Sequence, residues 1–216
     1  AMEKLLLYMN QLSGVIPSEL GHLSRMTGLY LFSNVLTGSL PTELGLLAAM
    51  EDLELPMNLL TGVIPSELGQ LSSMTALYLW SNVLRSSLPT ELGLLTAMKD
   101  LDLSKNQLSG IIPSELGELS SITKLYLYSN VLTGSLPTEL GLLAAMEDLE
   151  LPTNQLSGGL PSELGQLSEM ILLYLFKNSL TGPLPTELGL LTAMEHLSLY
   201  ENTLSGVIPS ELGQLS

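Results

Sequence analysis

The sequence predicts an α/β solenoid in which nine similar units stack their strands into one parallel sheet. Three observations support this prediction: an asparagine that recurs nine times at a spacing of 24 residues, an alternation of leucines before it, and a regular Gly–Pro–Gly pattern after it. Because the 216 residues are nine times 24, the repeat occupies the whole chain. Self-similarity at a fixed period is typical of solenoids, in which no unit can bury its apolar face alone.

Each unit begins with a predicted strand. In the first unit Leu5 and Leu7 alternate with Leu6 and Tyr8, and a period of two turns one face of a strand inward. The asparagine that follows, Asn10, ends this strand, and we expect its amide to bridge backbone groups of its own unit and the next. The predicted structural ladder consists of Asn10, Asn34, Asn58, Asn82, Asn106, Asn130, Asn154, Asn178 and Asn202.

The remainder of each unit is predicted to form a turn and then a short helical segment that leads back to the next strand. Gly14 fits a turn that a Cβ atom would obstruct, and Ser86 is the one break in this glycine column. Pro17 suits the first position of a short helical turn that runs to Leu20, and Gly21 suits its end. The chain should therefore alternate strand and helical turn nine times.

This frame resembles the leucine-rich repeat, and specifically the plant-type subclass with the consensus L-x-L-x-x-N-x-L-[ST]-G-x-[IL]-P-x-x-L-G-x-L. The resemblance implies a right-handed superhelix with the parallel sheet on its concave face and 3₁₀ turns on its convex face. It also implies an extracellular or cell-surface protein, as in the ectodomains of receptor-like kinases and receptor-like proteins or in inhibitors of cell-wall-degrading enzymes. The paired cysteine caps typical of that subclass are missing, because the chain contains no Cys.

The array is predicted to be a single domain, 1–216, built from a 48-residue odd/even pair, since residues 33–56 and 129–152 are identical. Neither a capping unit nor a signal peptide is visible in the sequence. We therefore expect either an excerpt of a longer chain or a module whose uncapped ends meet another copy. In the second case head-to-tail contacts would produce a structural, self-associating array.

Composition excludes several classes of function. Seven basic against 22 acidic residues give a net charge of −15, which argues against nucleic acid as a partner because phosphates need a basic surface. No apolar run is long enough to insert into a bilayer. Without Cys, and with no nucleophile–base pair or metal-ligand cluster in the sequence, we expect no enzyme, no catalytic residue, no metal and no cofactor.

The aromatic residues predict a binding surface. Positions are counted from the first residue of each 24-residue unit, so that Tyr8 is at position 8 of the first unit. All ten aromatic residues lie at the outward-facing positions 6 and 8, while the third, fifth and seventh units place acidic residues at positions 4 and 6. The concave face should therefore carry aromatic rungs about every 10 Å, with acidic rungs between them. The predicted ligand-binding residues are Tyr30, Phe32, Asp52, Glu54, Tyr78, Trp80, Asp100, Asp102, Tyr126, Tyr128, Asp148, Glu150, Tyr174 and Phe176.

Three functional hypotheses follow from these patterns. The leading one is non-enzymatic recognition of a protein or peptide ligand, either one with cationic groups or a repetitive one, because exposed aromatic patches bind partners. The second is the self-associating array described above, with the rings supporting one another and the acids keeping the face soluble. The third is polysaccharide or ice binding through the Ser or Thr at position 13 of eight units, although a hydroxyl also suits a turn before Gly.

Overall fold

The computed structural model describes residues 2–215 as two parallel sheets connected by short 3₁₀ helices; Ala1 and Ser216, which the predicted array includes, lie outside the described residues. Each unit contributes one strand to the first sheet, one strand to the second and one helix, in that order. The predicted solenoid is confirmed, with a parallel sheet on its concave face and 3₁₀ turns opposite.

The first sheet, which we call the concave sheet, contains one three-residue strand from each unit. Consecutive units pair in register, so that Lys124 lies between Asp100 and Asp148. Side chains at equivalent positions therefore form straight columns across the sheet. The strands are Lys4–Leu6, Gly28–Tyr30, Asp52–Glu54, Ala76–Tyr78, Asp100–Asp102, Lys124–Tyr126, Asp148–Glu150, Leu172–Tyr174 and His196–Ser198.

The second sheet was not predicted, because its strands coincide with the segment expected to form only a turn. The sequence signal for this sheet is a short alternation of polar and apolar residues around the leucine at position 12. Leu108, for example, is buried between the exposed Gln107 and the half-buried Ser109. The strands pair in parallel and are Ser13–Gly14, Val35–Ser39, Leu59–Gly62, Val83–Ser86, Gln107–Gly110, Val131–Gly134, Gln155–Gly158, Ser179–Gly182 and Thr203–Leu204.

The turn after this second strand needs a left-handed backbone. The eight glycines at position 14 have φ between 77° and 90°, and Ser86 adopts φ 90° in their place. A Cβ added at Gly14 would meet nothing within 4 Å. The prediction of an obstructed Cβ is therefore wrong at Gly14, where the positive φ is the reason for glycine.

The 3₁₀ helices begin one residue later than predicted. Pro17 precedes the first helix, with its carbonyl accepting from the N–H of Leu20, and Gly21 is a buried residue within the helix and does not end it. The reason is packing, because a Cβ on Gly21 would collide with the backbone carbonyl of Glu43 in the next unit. The helices are Ser18–His22, Thr42–Leu46, Ser66–Gln70, Thr90–Leu94, Ser114–Glu118, Thr138–Leu142, Ser162–Gln166, Thr186–Leu190 and Ser210–Gln214.

The core between the two sheets and the helices is aliphatic. Leu, Ile and Met side chains form one continuous cluster, which contains no aromatic ring among residues 2–215. Among residues 2–215, valine contributes no side chain to this core. The six valines are exposed or half-buried at positions 11 and 15, beside the second sheet: Val15, Val35, Val63, Val83, Val131 and Val207.

The asparagines at position 10 connect each unit to the one before it. Nδ2 of Asn106 lies 3.0–3.1 Å from the carbonyl oxygens of Leu79, Leu103 and Ser104, and its Oδ1 accepts from the N–H of Leu84 at 3.0 Å. Leu79 and Leu84 belong to the preceding unit. The expectation of a bridge to the next unit is therefore wrong in direction, since the amide reaches backward along the chain.

Candidate functional site

The fourteen residues predicted to bind ligand all lie on the concave sheet or within two residues after its strands, and every one of them is half-buried. The two remaining rings, Tyr8 and Tyr200, are 40% and 53% exposed. The in-register pairing explains this placement, because alternate strand positions point away from the aliphatic core. The concave sheet therefore presents one continuous surface of rings and carboxylates.

Aromatic and acidic rungs are linked by hydrogen bonds. The hydroxyl of a tyrosine at position 6 donates to Oδ2 of the aspartate at position 4 of the next unit, at distances of 2.8, 3.2 and 3.1 Å: Tyr30 to Asp52, Tyr78 to Asp100 and Tyr126 to Asp148. The eighth unit differs, because His196 occupies the position that would accept from Tyr174. Each of the three bonds holds a ring in a defined orientation above the sheet.

Burial raises the pKa of these hydroxyl groups, which are protonated at neutral pH even at the ordinary tyrosine value of about 10. It raises the pKa of Tyr30 to about 12, with the hydrogen bond to Asp52 and the charge of Asp52 adding to the effect. Burial, followed by the neighbouring aspartate, also raises the pKa of Tyr78 and of Tyr126. At neutral pH the three tyrosines are therefore hydrogen-bond donors, and their aspartates are acceptors.

The carboxylates at position 6 of the odd units are also perturbed by burial. It raises the pKa of Glu54, and the charge of Asp52 raises it further. Burial likewise raises the pKa of Asp102, although the N–H of Ser104 donates to its Oδ1 at 2.9 Å and Lys105 lies nearby, both of which lower it. These acids would gain from a cation placed close to them.

The rings at position 8 stack only toward the two ends of the array. Tyr8 stacks on Phe32 with 4.5 Å between centroids, and Phe176 stacks on Tyr200 with 4.4 Å. Between them Trp80 and Tyr128 are separated by one unit, whose position 8 is a serine. The rings therefore stabilise one another by stacking at the ends of the array, while the flat faces of Trp80 and Tyr128 are available for other contacts.

The face already attracts cations to its tyrosines. Nζ of Lys4 lies 5.9 Å from the ring centroid of Tyr30, and Nζ of Lys105 lies 5.8 Å from that of Tyr128. Both distances are within the range of a cation–π interaction. A ligand cation would therefore find the same chemistry on this surface.

A cleft of about 230 Å³ opens at the centre of the concave sheet. Its walls come from the fourth, fifth and sixth units and include the predicted residues Tyr78, Trp80, Asp100, Asp102 and Tyr126. Lys124 also lines this cleft and was not among the predicted residues. The available signal was its place in the position 4 column, where it is a basic residue between two aspartates.

Other kinds of site are not apparent within residues 2–215. No group of three His, Asp or Glu side chains in that range could hold a metal ion. None of the helices described there has the length and apolar character needed to cross a membrane.

Comparison with known proteins identifies the repeat. The family model described as Leucine Rich Repeat matches residues 1–23, 97–119, 121–143 and 193–215. A plant peptide hormone receptor, RGFR1, solved in complex with RGF2, is 37% identical with a TM-score of 0.97 over 99% of this chain. This chain is a leucine-rich repeat protein of the plant type.

Two further structures resemble this leucine-rich repeat protein. The ectodomain of the Arabidopsis thaliana receptor kinase GASSHO1/SCHENGEN3, in complex with CASPARIAN STRIP INTEGRITY FACTOR 2, is 37% identical over 96% of the chain, with a TM-score of 0.94. A plant ice-binding protein is 28% identical over 97% of the chain, with a TM-score of 0.84.

The leucine-rich repeat protein spans 34% of the RGFR1 chain, 25% of the GASSHO1/SCHENGEN3 chain and 67% of the ice-binding protein. A search of curated proteins found no significant match.

Proposed function

We propose that this leucine-rich repeat array is a non-enzymatic recognition module that binds a protein or peptide ligand on its concave sheet, outside the cell. The observation that carries the proposal is the row of tyrosine rings that hydrogen bonds to Asp52, Asp100 and Asp148 hold above the sheet. Oriented aromatic side chains lose little conformational entropy on binding, and aromatic residues dominate interface energies.

Two similar structures support this proposal. RGFR1 was solved with RGF2, and the GASSHO1/SCHENGEN3 ectodomain with CASPARIAN STRIP INTEGRITY FACTOR 2. Both are 37% identical to this chain. The extracellular location rests on the second of them, which is the ectodomain of a membrane receptor kinase.

Selection of peptides from a random display library on the immobilised 216-residue chain tests this function. Peptides enriched on the unmodified protein should bind the Tyr78→Ala/Trp80→Ala double variant at least about 30-fold more weakly, because truncating a central interface side chain costs about 2 kcal/mol or more. Both rings are half-buried on the strand face and lie outside the aliphatic core, so the circular dichroism spectrum should remain that of the folded array.

Leu94→Ala is the matched control for this experiment, because Leu94 is 57% exposed on a 3₁₀ helix away from the concave sheet. Its peptide affinities should equal those of the unmodified chain. Equal binding of the selected peptides to the double variant would refute the concave sheet as the binding surface. Unfolding of the double variant would instead show that the two rings are structural.

Ice binding is a second candidate function, supported by the second sheet. Position 13 repeats a hydroxyl side chain along this sheet at the spacing of parallel strands, about 4.8 Å, and Thr37, Thr61 and Thr181 are exposed there. Exposed methyl groups of Val15 and Val63 lie beside this row. The similarity to a plant ice-binding protein supports this candidate. Arg85 interrupts the row.

The growth of single ice crystals in the presence of the chain tests this second candidate. We expect faceted crystals and a measurable gap between melting and freezing temperatures. Thr37→Lys combined with Thr61→Lys should abolish both effects, because two long charged side chains prevent close approach of a flat surface. Tyr78→Ala/Trp80→Ala should leave both unchanged. Round, freely growing crystals with the unmodified chain would eliminate ice binding.

A further inference from the structure

We infer that the central cleft of the concave sheet binds the guanidinium group of an arginine side chain, an inference that rests on the proposed function of this sheet in peptide recognition. The cleft lies between the fourth and sixth units and is lined by Tyr78, Trp80, Asp100, Asp102, Lys124 and Tyr126. Its size, charge and walls each point to this group.

The size of the cleft limits its occupant. Its volume is about 230 Å³, whereas pockets for drug-sized molecules occupy about 300–1,000 Å³. The cleft therefore accommodates one side chain, or a group of similar size, and the rest of a peptide would lie along the sheet. Such a binding mode suits a surface that is repetitive along the sheet and differs only at the fifth unit, where the cleft lies.

The charge of the cleft favours a monocation. Among the residues that line the cleft, Asp100 and Asp102 contribute two carboxylates and Lys124 contributes one ammonium group; Lys105 lies near Asp102 but does not line the cleft. Oδ1 of Asp100 is buried and accepts no hydrogen bond from the residues that the structure describes. A carboxylate that is partly removed from water and incompletely hydrogen-bonded is stabilised by a nearby cation. One additional positive charge would bring the sum of the lining charges to zero.

The walls favour a planar cation over a compact one. Trp80 and Tyr126 offer flat aromatic surfaces, and hydrogen bonds to Asp100 and Asp148 fix the rings of Tyr78 and Tyr126. A guanidinium group stacks on aromatic rings and donates in its own plane to carboxylates, whereas an ammonium group is a strongly hydrated point charge. The cleft combines both kinds of partner, so an arginine side chain fits it best.

The fifth unit differs from its counterparts at one position that lines the cleft and at another position two residues further along the chain. It carries Asp102 and Ser104 where the third unit has Glu54 and Pro56 and the seventh has Glu150 and Pro152. Asp102 is one methylene shorter than the glutamate of those two units, which leaves more space between the rings of the neighbouring units. Ser104 is completely buried behind Asp102, and its N–H fixes that carboxylate. Trp80, which borders this space, is the single tryptophan of the chain.

Because Trp80 is the single tryptophan, its fluorescence reports directly on the cleft. Titration with N-acetyl-arginine amide should give a saturable change in its emission. N-acetyl-citrulline amide, which has nearly the same shape but no charge, should bind at least about tenfold more weakly. Asp102→Asn should weaken the arginine derivative by a similar factor, while Glu118→Gln, which removes an exposed acid from the helix of the same unit, should leave its affinity unchanged.

Lys124→Ala provides a test that misfolding cannot imitate, because it should increase affinity for the arginine derivative about threefold by removing a competing positive charge. Equal binding of the citrulline derivative, an unchanged affinity of Asp102→Asn, or the absence of a saturable signal would overturn the inference. If peptides selected from the display library bind the concave sheet but the arginine derivative does not bind, only this inference fails. If the arginine derivative binds as expected and the library yields nothing, the peptide-binding function fails instead.

Discussion

Replacing Asn106 by Leu should lower the free energy of unfolding by about 1–3 kcal/mol or more, because each buried polar group left without a partner costs that amount. The N–H of Leu84 would lose its acceptor, and the carbonyls of Leu79 and Leu103 would lose a donor. Asn106 is 9% exposed, so water cannot readily replace these bonds. Urea denaturation followed by circular dichroism would measure the loss.

Asn10→Leu is the matched control for this substitution. Asn10 is exposed, and its amide donates only to the carbonyls of Leu7 and Tyr8 in its own unit. Its replacement should therefore shift the denaturation midpoint much less than that of Asn106. Equal shifts for the two variants would show that the backward bridge between units contributes little to stability.

Replacing Gly117 by Ala should cost about 1–3 kcal/mol, the range typical of overpacked interiors, because the helices of adjacent units touch at this residue. A Cβ at Gly117 would lie 2.5 Å from the carbonyl oxygen of Glu139 and 2.7 Å from its Cβ. Both atoms belong to the next unit, and one of them is backbone, so the two units would have to separate. The loss would be measured as a lower denaturation midpoint.

Gly213 occupies the same helix position in the ninth unit, where an added Cβ would meet nothing within 4 Å. Gly213→Ala should therefore be neutral or slightly stabilising, because alanine restricts the unfolded chain more than glycine does. A comparable loss for Gly117→Ala and Gly213→Ala would indicate a requirement of the helix itself and would contradict contact between units as the cause.

The periodic positions made most of the fold predictable. Leu5 and Asn10, read at a spacing of 24, predict one concave strand in each unit; the prediction that Asn10 ends the first strand is wrong, because that strand ends at Leu6. The second sheet was missed because a strand as short as Ser13–Gly14 carries too little alternation to distinguish it from a turn. The role of Gly21 was misassigned for a related reason, because its constraint comes from Glu43 in another unit and not from its own helix.

The candidate site was predictable in its location but not in its bonds. Alternation alone places Tyr78 and Asp100 on the same side of the sheet. In-register pairing then sets the tyrosine diagonally opposite the aspartate of the next unit. The hydrogen bond between them depends on the side-chain torsion angles, which a repeat pattern does not specify. Lys124 was not predicted, because a basic residue at position 4 belongs neither to the aromatic nor to the acidic pattern of this face.

The tyrosine–aspartate bonds run in one direction only, from an even unit to the odd unit after it, as from Tyr30 to Asp52. From the second unit to the seventh, junctions with this bond therefore alternate with junctions that lack it. In a solenoid, stability is a sum over units and their junctions. Pulled from its ends, this part of the chain would separate into double-unit blocks of 48 residues, with the breaks after the third and fifth units.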